Sequence, residues 1–263
     1  MIRILCLGDV VGEEGVRFLE RGGRLRNLAS SRRADLVIVN GENSAPGNGI
    51  SRDSAERLLD AGADVVTGGN HTWKQRDAAR LLEDGDALIR PCNYPPEAPG
   101  MGYLIAGVQG VRVLVLNAAG VVYMDPVTPP ADAVARILKS ERGNYDLSVL
   151  DFHAEATSEK LFLARYFDGR ISAVFGTHTH VQTADEQILP GGTGYITDAG
   201  MCGSMNGILG VKTEAVIHKF TVRTPVRFDP AEGNPAIHGV LFTLDEKTGK
   251  CAAVERIRDS GST

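Results

Sequence analysis

Five apolar runs in this chain each end in a short burst of potential metal ligands, and that repetition constrains the fold more than any other feature. Residues 2–7 run into Gly8-Asp9, and 35–39 into Asn40-Gly41-Glu42-Asn43. Residues 64–67 precede Gly68-Gly69-Asn70-His71, 147–152 lead to His153, and 171–175 lead to Gly176-Thr177-His178-Thr179-His180. Such runs read as buried strands. In an open α/β sheet the carboxyl ends of the strands face one crevice, so residues far apart in the chain can meet there. Asp, Glu, Asn and His supply the oxygen and nitrogen donors that divalent metals take. The pattern points to a metal-dependent hydrolase.

Bulk properties set the bounds. A chain of 263 residues with 43% hydrophobic side chains fits one large α/β domain over 1–263 and excludes wholesale disorder. Its net charge of −5 gives no basic field for a long polyanion, so no long nucleic acid is expected as a partner. A small nucleotide held through metal ions stays compatible. The N-terminus enters a strand directly, without the length of a signal peptide, and no apolar stretch approaches membrane-span length. Cys6, Cys92, Cys202 and Cys251 are scattered without a C-x-x-C pair, which fits buried thiols in a reducing cytosol. The expected location is cytoplasmic, with no membrane partner, and a homo-oligomer stays open.

Strand and helix signals alternate through most of the chain. Residues 15–30 carry Val16, Leu19, Leu25 and Leu28 at helical spacing. Ser51 reads as a cap before Ala55, Leu58 and Leu59, with Gly62 as the stop. Helices are also expected over 73–82, from Thr128-Pro129 to Lys139, and over 155–167. Strands are expected at 87–90, at 103–106 and 112–116 as a hairpin, and at 147–152 and 171–175. Beyond His180 the segments 191–194 and 201–210 are glycine-rich, the latter a loop that either closes over a substrate or merely turns or contacts a subunit. Residues 221–227, 239–244 and 250–257 read as strands without intervening helices, the last two joined by a turn at Lys247-Thr248-Gly249-Lys250. The expected architecture is α/β, with sheets layered face to face and helices outside.

Each burst has a plain reading beside the chemical one. Asp9 before Gly12 and Gly15 is commonly a turn or a helix cap. Its glycines resemble a phosphate-cradling loop only superficially, since Asp9, Glu13 and Glu14 repel a bare phosphate and no Walker lysine follows. Asn40-Gly41-Glu42-Asn43 reads either as a turn or as a carboxylate and a carboxamide reaching into the crevice. At Asn70-His71 an amide oxygen can ligate while the imidazole takes a different bearing. His178-x-His180 is the strongest local signal, because residues i and i+2 of an extended segment point the same way. Thr177 and Thr179 then face the other side, free to hydrogen-bond the ligands. His218 and His238 belong to no burst and read as packing or surface residues.

The order of these motifs resembles the calcineurin-like metallophosphoesterase superfamily: Asp after the first strand, an acidic residue after the second, Gly-Asn-His, a lone His, then Gly-x-His-x-His. Details depart from the common pattern. Val11 stands where an Asp-x-His ligand has its histidine, Glu42 where a bridging Asp is usual, with Asn43 after it, and Thr72 where an acidic residue often follows Gly-Asn-His. With these departures the chain is similar to the YmdB-like branch, bacterial proteins regarded as cyclic-nucleotide phosphodiesterases. The likeness continues through Asp151-Phe152-His153-Ala154-Glu155-Ala156-Thr157-Ser158-Glu159-Lys160 and Thr197-Asp198-Ala199-Gly200-Met201. The resemblance implies a four-layer α/β/β/α sandwich and two metal ions. It implies that Asp9, Glu42, Asn43 and His180 hold one ion and Glu42, Asn70, His153 and His178 the other, with Glu42 bridging. His71 is then free of metal and close to the substrate.

The reaction this implies is hydrolysis of a small phosphodiester, a 2′,3′-cyclic nucleotide foremost. A hydroxide bridging the metals attacks phosphorus, and His71 protonates the departing ribose oxygen as general acid. Nitrogen-rich, thiolate-free ligands suit iron or manganese, divalent or mixed-valence, with zinc as the alternative. A broader phosphodiesterase or a phosphomonoesterase is the second reading. From another class comes a regulatory protein that holds metal and nucleotide with little turnover. A metal-dependent amidohydrolase is set aside, because its His-x-His lies at the first strand of a barrel and here the pair follows Asp9 and Asn70.

Overall fold

The computed structural model describes residues 1–85 and 87–260. Four strands, β1 (Ile2–Val10), β2 (Leu36–Asn40), β3 (Val65–Thr67) and β4 (Leu88–Ile89), lie parallel. Their connections are α1 (Gly12–Glu20), α2 (Arg24–Ser31), α3 (Arg52–Ala61) and α4 (Ala78–Asp84), all packed on one face. The chain then builds a second sheet from β5 (Tyr103–Val108), β6 (Val111–Ala119), β7 (Leu147–His153), β8 (Ala173–Thr177), β9 (Gln187–Ile188) and β10 (Gly194–Ile196). Outside it pack α5 (Pro130–Ser140) and α6 (Thr157–Tyr166). Finally β11 (Met201–Ser204), β12 (Pro235–Leu244) and β13 (Cys251–Ser260) return to the first sheet, with α7 (Thr213–Thr221) after β11. The sheet orders are β13-β12-β11-β1-β2-β3-β4 and β5-β6-β7-β8-β10-β9.

Three apolar cores separate four layers. Along β1 successive side chains alternate, so Ile4 and Cys6 turn inward while Leu5 and Leu7 turn outward. The inward set meets Val115, Val149 and Phe175 of the second sheet, and the outward set packs against Leu19, Leu25 and Leu58 of the helices. On the far side Leu116, Leu150 and Val174 face Val134 of α5 and Leu163 of α6. Each fully buried Val, Leu or Phe contributes about 1.5–3 kcal/mol, so the central core holds the sheets face to face. The result is the α/β/β/α sandwich that the resemblance implied.

Several local expectations need correction. The helix over 15–30 is two helices, because Gly22 and Gly23 take φ values of 63° and 67° between α1 and α2. The helix at 73–82 begins only at Ala78. Before it the backbone is engaged otherwise: the His71 N–H donates to Glu42 Oε2, and the Lys74 N–H closes a turn on the His71 carbonyl. No strand forms at 221–227, where Pro225 cannot donate a ladder bond, and α7 overturns the expectation of no helix beyond His180. Of the expected loop 201–210, Met201–Ser204 is a buried strand parallel to β1, with Met201 opposite Asp9. Gly194–Ile196 is likewise a strand the glycines concealed.

Candidate metal centre

The ends of β1, β2 and β3 in one sheet and of β7 and β8 in the other converge on a groove of about 310 Å³, lined among others by Glu42, Asn43, His71, His178 and His180. A larger groove, about 750 Å³, lies elsewhere among Arg21, Arg24, Arg32 and Arg258. Guanidiniums do not ligate cations, so the smaller groove is the candidate.

The first sheet supplies oxygen. Asp9 is fully buried; its Oδ2 accepts the His178 N–H at 2.9 Å, and Oδ1 has no hydrogen-bond partner. Glu42, also fully buried, sits at the centre. Its Oε1 accepts from Asn43 Nδ2 at 2.7 Å and lies 3.2 Å from His153 Nε2 and 3.1 Å from His71 Nδ1. Asn43 Oδ1 is 3.1 Å from His71 Nδ1, and Asn43 Nδ2 is 3.3 Å from His180 Nε2. Ligation through the Asn43 oxygen therefore requires the amide to turn over. Asn70 Oδ1 reaches 3.1 Å from His153 Nε2. The turn that presents Asn70 needs a glycine at Gly69, where a Cβ would collide with Glu42 and His153.

The second sheet supplies nitrogen. His153 Nε2 faces Glu42, Asn70 and, at 3.1 Å, His178 Nδ1, while its Nδ1 lies 2.9 Å from the Thr177 hydroxyl. His178 Nε2 turns the other way, 3.2 Å from Glu155 Oε2. His180 Nε2 points to Asp9 Oδ1 at 3.5 Å, and its Nδ1 is 3.0 Å from the Leu209 carbonyl. Each imidazole thus offers one nitrogen to the groove and fixes the other on an acceptor, as metal-ligating histidines do. The expected extended geometry of His178 and His180 does not form. Their φ values are 97° and 62°, in the left-handed region, which costs about 1–3 kcal/mol per residue. Asp198 offsets that strain: it accepts from the Thr179 N–H at 3.2 Å and the Thr179 hydroxyl at 2.7 Å, and buried Lys160 donates to it at 2.7 Å.

Charge tests whether this set suits a cation. Burial pushes the Glu42 carboxyl up, but the His153 and His71 imidazoles outweigh it and hold the group well below its usual range. Burial also pushes Asp9 up, and His180 and His153 bring it down. The converse holds at His153: burial lowers it, yet Glu42, Asp9 and Asp151 raise it to about 9. Burial and the His153 charge depress His178 to about 4. Two buried carboxylates stay ionised only beside a compensating positive charge, and a metal ion is the natural replacement for the proton on His153. Glu42, His153 and His178 bring ligand atoms within 4.8 Å of one another, a cluster able to hold a metal ion. The donors fit a cation.

All eight candidates, Asp9, Glu42, Asn43, Asn70, His71, His153, His178 and His180, meet in this one contact network. His218, 2.8 Å from Thr224, and His238 on β12 stay outside it. Sequence reasoning assigned no role to Glu155, Asp151, Lys160, Asp198 or the Leu209 carbonyl. Asp151 and Glu155 stand two residues either side of His153, a spacing that was the available signal; for Leu209 the signal was its place in the glycine-rich 201–210 segment.

The whole chain has close counterparts. The family pattern described as YmdB-like protein matches residues 5–257. A 2′,3′-cyclic-nucleotide 2′-phosphodiesterase of Bacillus subtilis (strain 168) is 41% identical over 97% of this chain and 96% of its own. A crystal structure of a novel phosphatase from Mycoplasma pneumoniae superposes with a TM-score of 0.92 at 35% identity, covering 98% of this chain and 93% of that one. A hypothetical protein from Thermus thermophilus gives a TM-score of 0.91 at 40% identity over 98% of this chain and 99% of its own. With that coverage the chain belongs to the YmdB-like family.

Proposed function

We propose that the chain is a dimetal-dependent phosphodiesterase of small phosphodiesters, with 2′,3′-cyclic nucleotides foremost, and that residues 1–263 work as one metallophosphoesterase domain. One observation carries the reading: the buried Asp9 Oδ1, which accepts no hydrogen bond, lies 3.5 Å from His180 Nε2, and the buried Glu42 carboxylate has ligand atoms of His153 and His178 within 4.8 Å. The name of the Bacillus subtilis relative favours the cyclic-nucleotide class. Asp9, Glu42, Asn43 and His180 would hold one ion and Glu42, Asn70, His153 and His178 the other. Divalent metals bound there supply Lewis acidity toward phosphoryl oxygens and a nucleophile at neutral pH.

The chain's own contribution centres on His71. Its Nδ1 is engaged by Glu42 Oε1 at 3.1 Å, a contact that does not depend on which way the Asn43 amide is turned, and Nε2 is left for the substrate. In the proposed reaction a water oxygen joins phosphorus, releasing one proton to solvent from which His71 is later reprotonated, and the bond from phosphorus to the ribose 2′-oxygen breaks. The proton on His71 Nε2 passes to that oxygen, giving a 3′-nucleoside monophosphate. The thiolate-free donor set suits iron or manganese, with zinc as the alternative. The four cysteines are free thiols, which fits a cytoplasmic setting. Among the described residues no helix is long and apolar enough to cross a membrane.

The test is elemental analysis of protein purified without added metal, followed by assays on 2′,3′-cyclic AMP, bis-p-nitrophenyl phosphate and p-nitrophenyl phosphate before and after chelation. Metal-dependent release of 3′-AMP supports the proposal. Preference for p-nitrophenyl phosphate would instead favour the monoesterase reading that the Mycoplasma relative's description suggests. Tight nucleotide binding without product under any metal would make the protein a regulatory binder.

A further inference from the structure

We propose that Asp151 is a positioning residue for this site: its carboxylate, buried between the sheets, directs the Thr177 hydroxyl and so commits His153 to present Nε2 to the metal. The inference rests on the metal-centre reading above. Asp151 lies on β7, is fully buried, and collects donors from both sheets. Thr67 of β3 and Asn40 of β2 donate to Oδ2 at 2.5 and 2.9 Å, and Thr177 of β8 donates to Oδ1 at 2.7 Å. Asn40 extends the node. Its Nδ2 also donates to the Gly68 carbonyl at 3.0 Å, and its Oδ1 accepts the Glu42 N–H at 3.2 Å. One side chain therefore ties together the glycine turn before Asn70, the backbone of Glu42 and the support of His153.

Hydrogen-bond polarity gives the node its consequence. Oδ2 is already occupied by the Asn40 amide and the Thr67 hydroxyl, and Oδ1 faces the Thr177 hydroxyl at 2.7 Å, so the single Thr177 hydroxyl proton goes to Asp151. The Thr177 oxygen, 2.9 Å from His153 Nδ1, is then left to accept, and Nδ1 must carry the hydrogen. The lone pair falls on Nε2, the atom facing Glu42, Asn70 and His178. His178 and His180 meet the same requirement directly, on Glu155 and on the Leu209 carbonyl. Neither of those acceptors needs orienting. A hydroxyl can donate as readily as accept, and so Thr177 alone requires a residue behind it.

Three variants test this. Thr177→Val removes the relay and Thr177→Ser restores it. In Asp151→Asn the amide oxygen turns to the two donors on the Asn40 and Thr67 side, its NH2 faces Thr177, and the hydroxyl proton swings onto His153 Nδ1. The readouts are zinc affinity of the metal-free protein by competition with a chelator, and ¹⁵N NMR of the His153 ring in zinc-loaded protein. Thr177→Val and Asp151→Asn should weaken zinc binding by roughly 10–100-fold, the usual cost of losing such a partner, with Thr177→Ser close to wild type. The His153 Nδ1–H resonance should be protected from exchange in wild type and Thr177→Ser and lost in Thr177→Val. Circular dichroism and the thermal midpoint without metal establish that each variant folds; should Asp151→Asn not fold, the Thr177 pair decides alone. Folded Thr177→Val with wild-type zinc affinity and a protected Nδ1–H overturns the inference. Failure of wild-type protein to bind metal stoichiometrically would instead overturn the functional reading beneath it.

Discussion

The two sheets bring different things to the groove. The first delivers charge: Asp9 and Glu42 are fully buried carboxylates, with Asn43 and Asn70 beside them. The second delivers direction: His153, His178 and His180 each have one nitrogen tied to an acceptor and the other free to face the carboxylates. Asp9 lies within β1, where the pairing with β2 shifts register between Leu7 and Asp9, whereas His178 and His180 require left-handed backbone held by Asp198 and Lys160. Charge is supplied by residue type alone. Direction needs a supporting structure behind every ring.

The largest break in that comparison should come from Glu42→Gln, which removes the charge shared by His153 and His71 and keeps the shape. Metal content and turnover should fall together, the metal affinity by more than the ~10–100-fold typical of a supporting residue. Plasma emission analysis beside a phosphodiesterase assay reads both; retention of full metal would deny Glu42 its central role. Next comes His71→Ala, expected to lose roughly 10²–10⁴ in turnover while metal stays bound. Equal loss of metal would move His71 among the ligands.

Lys160→Met probes the support behind the imidazoles. It leaves Asp198 buried without its cation, and denaturant unfolding should register a loss of about 3–5 kcal/mol. A change below ~1 kcal/mol would mean that the left-handed turn stands without the ion pair. The smallest effect is expected at the exposed end of the second sheet, where Arg112 holds Asp146 down to about 2. A carboxyl depressed on folding stabilises the protein above its unfolded pKa near ~4 and loses that contribution as pH falls toward 2. Asp146→Asn should therefore cost only ~0.2–1 kcal/mol at neutral pH, vanishing in acid, as urea titrations at several pH values would read. An undiminished difference at acid pH would remove the charge as its cause.

Much of this was legible in the sequence, for identifiable reasons. Strands such as Leu36–Asn40 announce themselves because both faces are buried and the run Leu36-Val37-Ile38-Val39 is continuously apolar. The ligand candidates were legible because polar residues directly after such runs have one plausible destination, the sheet edge. Met201–Ser204 was not, since a short strand containing Cys, Gly and Ser becomes one only through its pairing with β1 and β12. The 73–82 helix was drawn too long because no periodicity argument anticipates a side chain, here Glu42, capturing the His71 N–H. Nor does periodicity reveal φ, so the left-handed His178 and His180 were missed.

The pairing of β1 with β12, from Ile2 opposite Leu244 to Leu7 opposite Gly239, has a consequence for biosynthesis. The strand carrying Asp9 leaves the ribosome long before β12, so one of its flanks waits while the intervening segments are made. At synthesis rates of roughly 5–20 residues per second that delay exceeds ~10 s. During it the nascent chain displays an open β edge, a natural client for a holding chaperone, until β12 arrives to cover it.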